Sequence, residues 1–423
     1  MLTTILLILA VIALFVLAFM LLRTLSFARP VQPVEPVEGI AVEPEVIAEH
    51  LASAIRCKTV SMKEETAEDA KPFKELHRVL EKTYPRTHAT LHRQVLGGYA
   101  LLYTWKGSQP DLPAVVLMAH QDVVPVEEAS LSEWQQPPFA GKIAEGYLWG
   151  RGTLDMKGQL VTILEAVEDL LKTGYEPQRT LYLAFGHDEE IGGNRGTKAV
   201  VEWMQQNDIR PGVVLDEGGM IMEELLPGVK VPVALVGTGE KGVVTLELTV
   251  EDAPGHSSTP KRETTIGILA KALAFVEHRP MPARLNFLLP TLRAVGAVLP
   301  FGQQFALANS WLLGGLLVKK LSANPQLDAA LRTTTAITII NGGVRENVIP
   351  ARASARVNFR LMPGDGIAQV CEHVRKVMDD ERVKFEPVGG FVREASPVSP
   401  IGTPSYRTLE RTIRQIFGNI PVA

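Results

Sequence analysis

Cysteine is nearly absent: Cys57 and Cys371 are the only two in 423 residues. Two distant thiols supply no disulfide framework and no cysteine-rich zinc site, and lone cysteines are mostly buried apolar fillers. Charge of one sign is not in excess either. Lys plus Arg total 43 against 47 Asp plus Glu, a net charge of -4 that argues against any nucleic-acid partner. The 35 Gly and 29 Pro allow many tight turns, but no collagenous or low-complexity tract occurs.

What is present begins at the N-terminus. Met1 to Leu22 is apolar apart from Thr3 and Thr4. About 20 such residues, rising 1.5 Å each as a helix, cross the hydrocarbon core of a bilayer. Arg23 and Arg29 follow, and no Lys or Arg precedes. A signal peptide has a basic start and an apolar stretch of about 7–15 residues, and this segment has neither. The expectation is an uncleaved transmembrane anchor with the C-terminal side in the cytoplasm by the positive-inside rule. Cleavage at Ser26-Phe27-Ala28, giving a secreted protein, is the alternative.

The length exceeds one simple core and predicts two domains and a tail. Residues 1–22 form the anchor, and 23–44, rich in Pro, Val and Glu, read as an extended linker. From 45 to 241 amphipathic stretches (Glu45 to Lys58, Ala70 to Thr83, Met156 to Thr173, Gly196 to Asn207) alternate with apolar strands (Tyr99 to Trp105, Ala114 to Ala119, Thr180 to Phe185, Val213 to Leu215). That alternation predicts an α/β domain whose mostly parallel sheet is covered by helices, with ligands at the carboxyl ends of its strands. From 242 to 389 the texture changes to alternating strands and helices of an inserted α+β, ferredoxin-like domain. Leu285 to Leu321 interrupts it with an unusually apolar stretch that suits an acyl chain, a membrane surface or an ordinary buried insertion. Residues 390–423 return to the first domain, with Ser405 to Phe417 helical.

Four clusters carry the chemistry: His120-Gln-Asp122, Gly150-Arg-Gly-Thr-Leu-Asp155-Met-Lys157, His187-Asp-Glu189-Glu190 and Asp216-Glu217-Gly-Gly219. Three follow an apolar strand. His120 at a strand end suits a metal or a polar core position, and Asp122 is spaced to orient its ring. Asp155 precedes a helix, where it either caps the helix or bridges metal ions. Adjacent side chains diverge, so one of Glu189 and Glu190 can hold a metal while the other faces substrate as a general base, unless the triplet is a solvated turn. Asp216 and Glu217 pose the same choice. One imidazole among several carboxylates, with almost no thiol, points to a divalent cation.

These four strings resemble the aminoacylase and carboxypeptidase S branch of the di-zinc metallopeptidases, and within it the N-fatty-acyl-amino-acid synthase/hydrolase and carboxypeptidase S group. The resemblance runs from about Glu45 to the C-terminus. It implies that His120 binds one zinc, Asp155 bridges two, and Glu190 binds the other. Glu189 is then the general base for a metal-activated water, Asp122 orients His120, and Asp216 or Glu217 completes the first zinc, with Asp216 preferred. In residues 242–389 it implies a lid and dimerisation domain. There His256, in Gly255-His-Ser257, steadies the oxyanion, often across a homodimer, while Asn347 and Arg360 grip the substrate. The implied substrates are N-acyl amino acids or peptides with a free C-terminus.

One element of the family pattern is not found. The family places a second-zinc histidine near its C-terminus, whereas no histidine follows His373 here. The expectation is a truncated sequence whose second zinc lacks a protein ligand. Activity would then be weak, or the chain would serve as a membrane-tethered binding or dimerisation module.

Overall fold

The N-terminal apolar run is helical well past Leu22, from Leu2 to Phe27 (α1). It is the only helix among the described residues long and apolar enough to cross a membrane. The computed structural model describes residues 1–27, 33–39, 41–64, 66–226 and 228–423. Ala28, Arg29 and Pro30 of the expected cleavage site and linker lie outside the described residues. The chain divides into two units, one of Gly39–Gly218 and one of Met1–Glu38 with Gly219–Ala423.

In the Gly39–Gly218 unit the expected helices form as Pro44–Arg56 (α2), Ala70–Thr83 (α3), Lys157–Lys172 (α4) and Gly196–Gln206 (α5). The strands are His92–Leu96 (β1), Ala100–Trp105 (β2), Ala114–His120 (β3), Leu181–Gly186 (β4) and Pro211–Leu215 (β5). They pair in the order β1-β2-β4-β3-β5. The expectation of a mostly parallel sheet needs correction: β4, β3 and β5 run parallel, but β1/β2 and β2/β4 are antiparallel. The difference arises at β1, whose sequence His-Arg-Gln-Val-Leu is too polar to stand out as a strand. It turns back into β2 at Gly97 and Gly98, both at positive φ. A Cβ on Gly97 would also lie 2.3 Å from the Arg195 carbonyl oxygen, so glycine is required there twice over.

Alternation along the strands divides the core between two faces. Leu101, Tyr103, Leu183 and Phe185 pack under α2, α3 and α4, while Leu102, Val116, Tyr182 and Ala184 pack under α5. Lys157 is wholly buried within the first layer. Its Nζ donates to the carbonyls of Ala54 (3.0 Å) and Cys57 (2.6 Å), tying the start of α4 to the end of α2. Burial pushes its pKa down to about 8.

In the other unit, Gly242–Glu251 (β6), Thr334–Gly342 (β7), Arg352–Leu361 (β8) and Val383–Arg393 (β9) form a sheet in the order β7-β8-β6-β9. Every pairing is antiparallel. Helices Thr265–His278 (α6) and, after four further helices, Ile367–Met378 complete a β-α-β-β-α-β order of the four-stranded sheet, the split βαβ arrangement. One face of the sheet is apolar, with Leu246, Leu248, Val357 and Phe359 packed against Leu269, Leu273, Val370 and Val374 of these helices. The Leu285 to Leu321 stretch forms short helical turns and then Phe301–Ala308 (α7) and Ser310–Leu321 (α8). Near the C-terminus, Pro404–Phe417 is helical, and Ala423 pairs with Ala234 and Val236.

Replacing Lys157 by Met keeps the bulk but removes two buried hydrogen bonds from a charged donor, leaving the Ala54 carbonyl with only the Cys57 amide and the Cys57 carbonyl with only the Thr59 amide. The expected cost is about 3 kcal/mol, two hydrogen bonds to a charged donor at roughly 1.5 kcal/mol each. Thermal unfolding of the full chain in detergent measures it; an unchanged transition would show that the bonds are dispensable.

Candidate metal centre

His120 is the last residue of β3, and the chain stays paired one residue further, since the Gln121 amide donates to the Gly186 carbonyl at 2.8 Å. Gln121 is fully buried and saturated. Its Nε2 donates to the carbonyls of Tyr99 and Phe185, both at 2.8 Å, and its Oε1 meets His77 Nε2 at 2.9 Å. That anchoring fixes the backbone on which His120 and Asp122 stand.

Asp122 is the hub. Its carbonyl oxygen lies 2.9 Å from His120 Nδ1 and its Oδ1 lies 3.4 Å from the same nitrogen, so Nδ1 carries the ring proton toward Asp122. Its two carboxylate oxygens accept the backbone amides of Glu189 (3.2 Å) and Glu190 (3.0 Å). The turn bearing both glutamates is thereby fastened to the end of β3. Burial works to raise the Asp122 carboxyl, but the His120 hydrogen bond and charge win and hold it below the usual carboxylate range.

The other ring nitrogen of His120 faces the acids. Nε2 lies 3.0 Å from Asp155 Oδ1 and 3.8 Å from Glu217 Oε2. Asp155 does not cap α4, whose N-cap position is Met156 with no side-chain cap bond. Of the readings open for Asp155 in the sequence, the cap is therefore not the one observed. Glu189 and Glu190 sit in a helical turn, Glu189–Ile191, that ends at Gly192 in the left-handed region (φ 107°). Ligand atoms of His120, Asp155 and Glu190 lie within 4.8 Å of one another, as do those of His120, Glu189 and Glu217. Glu217, rather than Asp216, supplies the donor in the second group. Asp216 acts on Glu189 and Glu217 through its charge.

Electrostatics reflect this crowding. Burial works to lower the His120 pKa, but the Asp122 bond and the charges of Asp122, Glu217 and Glu189 push it up to about 10. Burial, and then the charge of Asp155, push Glu190 up to about 7. Burial and the neighbouring carboxylates, against the pull of His120, push Glu217 up to about 7 as well. Glu189 is raised mainly by burial. Protons thus offset an excess of negative charge that a divalent cation would offset better. One imidazole and several carboxylates form a donor set that fits zinc or a similar ion.

Two features had not been read from the sequence. Asp188 caps α5, accepting the amides of Arg195 (2.8 Å) and Gly196 (2.9 Å). Asp188 lies eight residues before the start of α5, outside the usual capping position, so its place in the sequence does not signal this bond. Lys157 had no signal, because a buried lysine looks like any other lysine in sequence. The remaining expected residues lie in the other unit. His256 is paired with Val348 in a two-residue ladder, and the Ser257 amide donates to the Asn347 carbonyl at 3.1 Å, so His256 and Asn347 come together. Arg360 is exposed on β8, in register with Val243 and Thr334, on the face away from the helices.

Residues 116–423 match the model of peptidase family M20/M25/M40. The chain is 40% identical over 381 residues to a probable carboxypeptidase S-like 2 of Dictyostelium discoideum, covering 89% of this chain and 73% of that one. It is 36% identical over 386 residues to the human N-fatty-acyl-amino acid synthase/hydrolase PM20D1, covering 90% and 76%. Among solved structures, an M20 family metallo-carboxypeptidase, Sso-CP2 of Sulfolobus solfataricus, shares the fold with a TM-score of 0.60 at 19% identity, over 90% of this chain and 85% of that one. Human carnosine dipeptidase 1 does so with a TM-score of 0.60 at 17% identity, over 89% and 83%. With its acids and imidazole gathered at the strand ends, the chain belongs to peptidase family M20/M25/M40 and is a hydrolase of its metallopeptidase and aminoacylase type.

Proposed function

We propose that this chain hydrolyses the amide bond of N-acyl amino acids or the C-terminal bond of peptides, with Glu189 as general base and acid. The observation that carries the reading is the Asp122 carboxylate, which binds the amides of Glu189 and Glu190 while facing His120. The names of the relatives, carboxypeptidase S and N-fatty-acyl-amino acid synthase/hydrolase, support the two substrate classes. Two zinc ions held by His120, Asp155, Glu190 and Glu217 would polarise the scissile carbonyl and acidify the attacking water.

The residues of the chain then divide the work. Asp122 keeps the ring proton of His120 on Nδ1, leaving Nε2 to face the acids. Glu189 takes the proton of the attacking water and returns it to the leaving nitrogen; its raised pKa suits a group that must both accept and release. In the reading drawn from the resemblance, His256 donates to the developing oxyanion, and Asn347 and Arg360 hold the substrate. The Arg360 guanidinium is matched to a free α-carboxylate by its planar pair of donors. Residues 242–389 act as lid and dimerisation domain, and α1 anchors the chain in a membrane.

Three outcomes are expected. Glu189→Gln lowers kcat for an N-acyl amino acid about 100-fold or more while the bound metal content of the purified protein is unchanged; metal lost along with activity would make Glu189 a ligand instead. Arg360→Gln raises KM for a free acid roughly tenfold or more, since a charge-assisted bidentate contact is lost, and leaves the corresponding α-amide unaffected. The third is a pH effect. Burial and neighbouring carboxylates push Glu190 and Glu217 up to about 7 in the metal-free protein, above the ordinary glutamate range. Below that pH both are protonated, and an incoming cation must displace their protons. The rise in melting temperature on adding zinc to chelator-treated protein should therefore grow between about pH 5.5 and about pH 8. A pH-independent rise would detach these two acids from the metal.

A further inference from the structure

The helical stretch that ends at Leu321 is fastened to one end of α1. Arg23 Nε donates to the Ala308 carbonyl at 3.1 Å, and Asn309 Nδ2 donates to the Met20 carbonyl at 3.2 Å. Trp311 meets Phe19 edge-on with ring centroids 6.2 Å apart. On the N-terminal side of this contact the helix is bare, and residues 1–19 are exposed throughout. Leu2 to Phe19 rises roughly 27 Å at 1.5 Å per residue, close to the thickness of a bilayer's hydrocarbon core. The collar formed by α7 and α8 therefore grips α1 at the level where such a helix leaves the hydrocarbon.

The outer surface of this collar is unsuited to water. Phe301 is 56% exposed, Trp311 and Leu312 54% each, and Leu316 66%. These side chains belong to one chain segment and continue the apolar surface of α1 through the Phe19–Trp311 contact. Its charge is equally one-sided. Between Glu277 and Asp328 the sequence has no acidic residue. Arg284 is paired with Asp365 and Arg279 bonds the Val377 carbonyl, so the exposed cations of α7 and α8 themselves are Lys319 and Lys320. Exposed apolar side chains, a tryptophan beside a span and lysines closing the helix are what a segment lying in the interface of an anionic leaflet requires. A water-facing insertion would bury these side chains or replace them with acids and amides.

We propose that α7 and α8 are a second membrane-contacting element, lying in the interfacial layer of the leaflet from which α1 emerges. Phe301, Trp311, Leu312 and Leu316 enter the acyl region, and Lys319 and Lys320 meet anionic headgroups. This rests on α1 being a span, and the test separates the two. The full chain is reconstituted in anionic vesicles whose acyl chains carry bromine, and tryptophan quenching is read. The difference between the parent and Trp311→Phe isolates Trp311, and Phe15→Trp in the Trp311→Phe background reports α1. The expected result is quenching of both, with the Trp311 signal lost in Leu312→Glu/Leu316→Glu and the signal at position 15 retained. Quenching at position 15 without quenching of Trp311 overturns the proposal and leaves the span intact. Quenching at neither overturns both. Trp311 quenching that survives the double glutamate variant assigns the signal to its contact with α1 and also overturns the proposal, as does shielding of Trp311 from aqueous quencher without bromine quenching, the signature of a second copy covering the face.

Discussion

One buried carboxylate organises the acid cluster. Asp122 faces the proton-bearing nitrogen of His120 and accepts two backbone amides from the turn that carries Glu189 and Glu190. Three chain segments remote in sequence converge on it: the end of β3, the turn after β4 and, through the imidazole, the loop bearing Asp155. A carboxylate so placed is stable only because the imidazole and the two amides compensate its burial. The same arrangement leaves the opposite ring nitrogen facing Asp155 and Glu217, where repulsion among acids makes a cation welcome.

The sheet makes this convergence possible. Parallel strands β4, β3 and β5 bring their carboxyl ends to one edge, so His120, the Glu189–Glu190 turn and Glu217 issue from neighbouring positions. Sites in open α/β sheets form at such an edge because the chain leaves each strand there on its way to a helix. The antiparallel pair β1 and β2 extends the sheet beyond β4. It adds core without adding a residue to the donor groups.

Much of this is legible in the sequence. Apolar runs marked β3, β4 and β5, and periodicity marked α3 to the residue, because burial on one face imposes a strong pattern. β1 was missed because an edge strand needs little apolar character. The extension of the N-terminal helix to Phe27 was missed as well, since its last turns are held by Ala308 and Asn309, nearly three hundred residues away in sequence. At the site, the residue types and their positions at strand ends pointed to a cation. Which acid of the Asp216-Glu217 pair turns toward His120 depends on the path of the chain after β5, which one sequence does not encode in a readable way. The nearness of Asp122 to the imidazole follows from their spacing, but its bonds to the two amides do not, because backbone donors leave no trace in residue identity.

The segment from Gly152 to Lys157 now has a further meaning. Gly152 adopts φ 88°, Asp155 meets His120, and Lys157 is bolted to the carbonyls ending α2. A turn, a candidate metal ligand and a core rivet occupy six consecutive positions with no slack between them. An insertion or deletion of one residue here would swing Asp155 away and expel an ammonium from the interior in the same event. This stretch should therefore tolerate length variation less than any loop around it, and damage to the chemistry here will be hard to separate from damage to the fold.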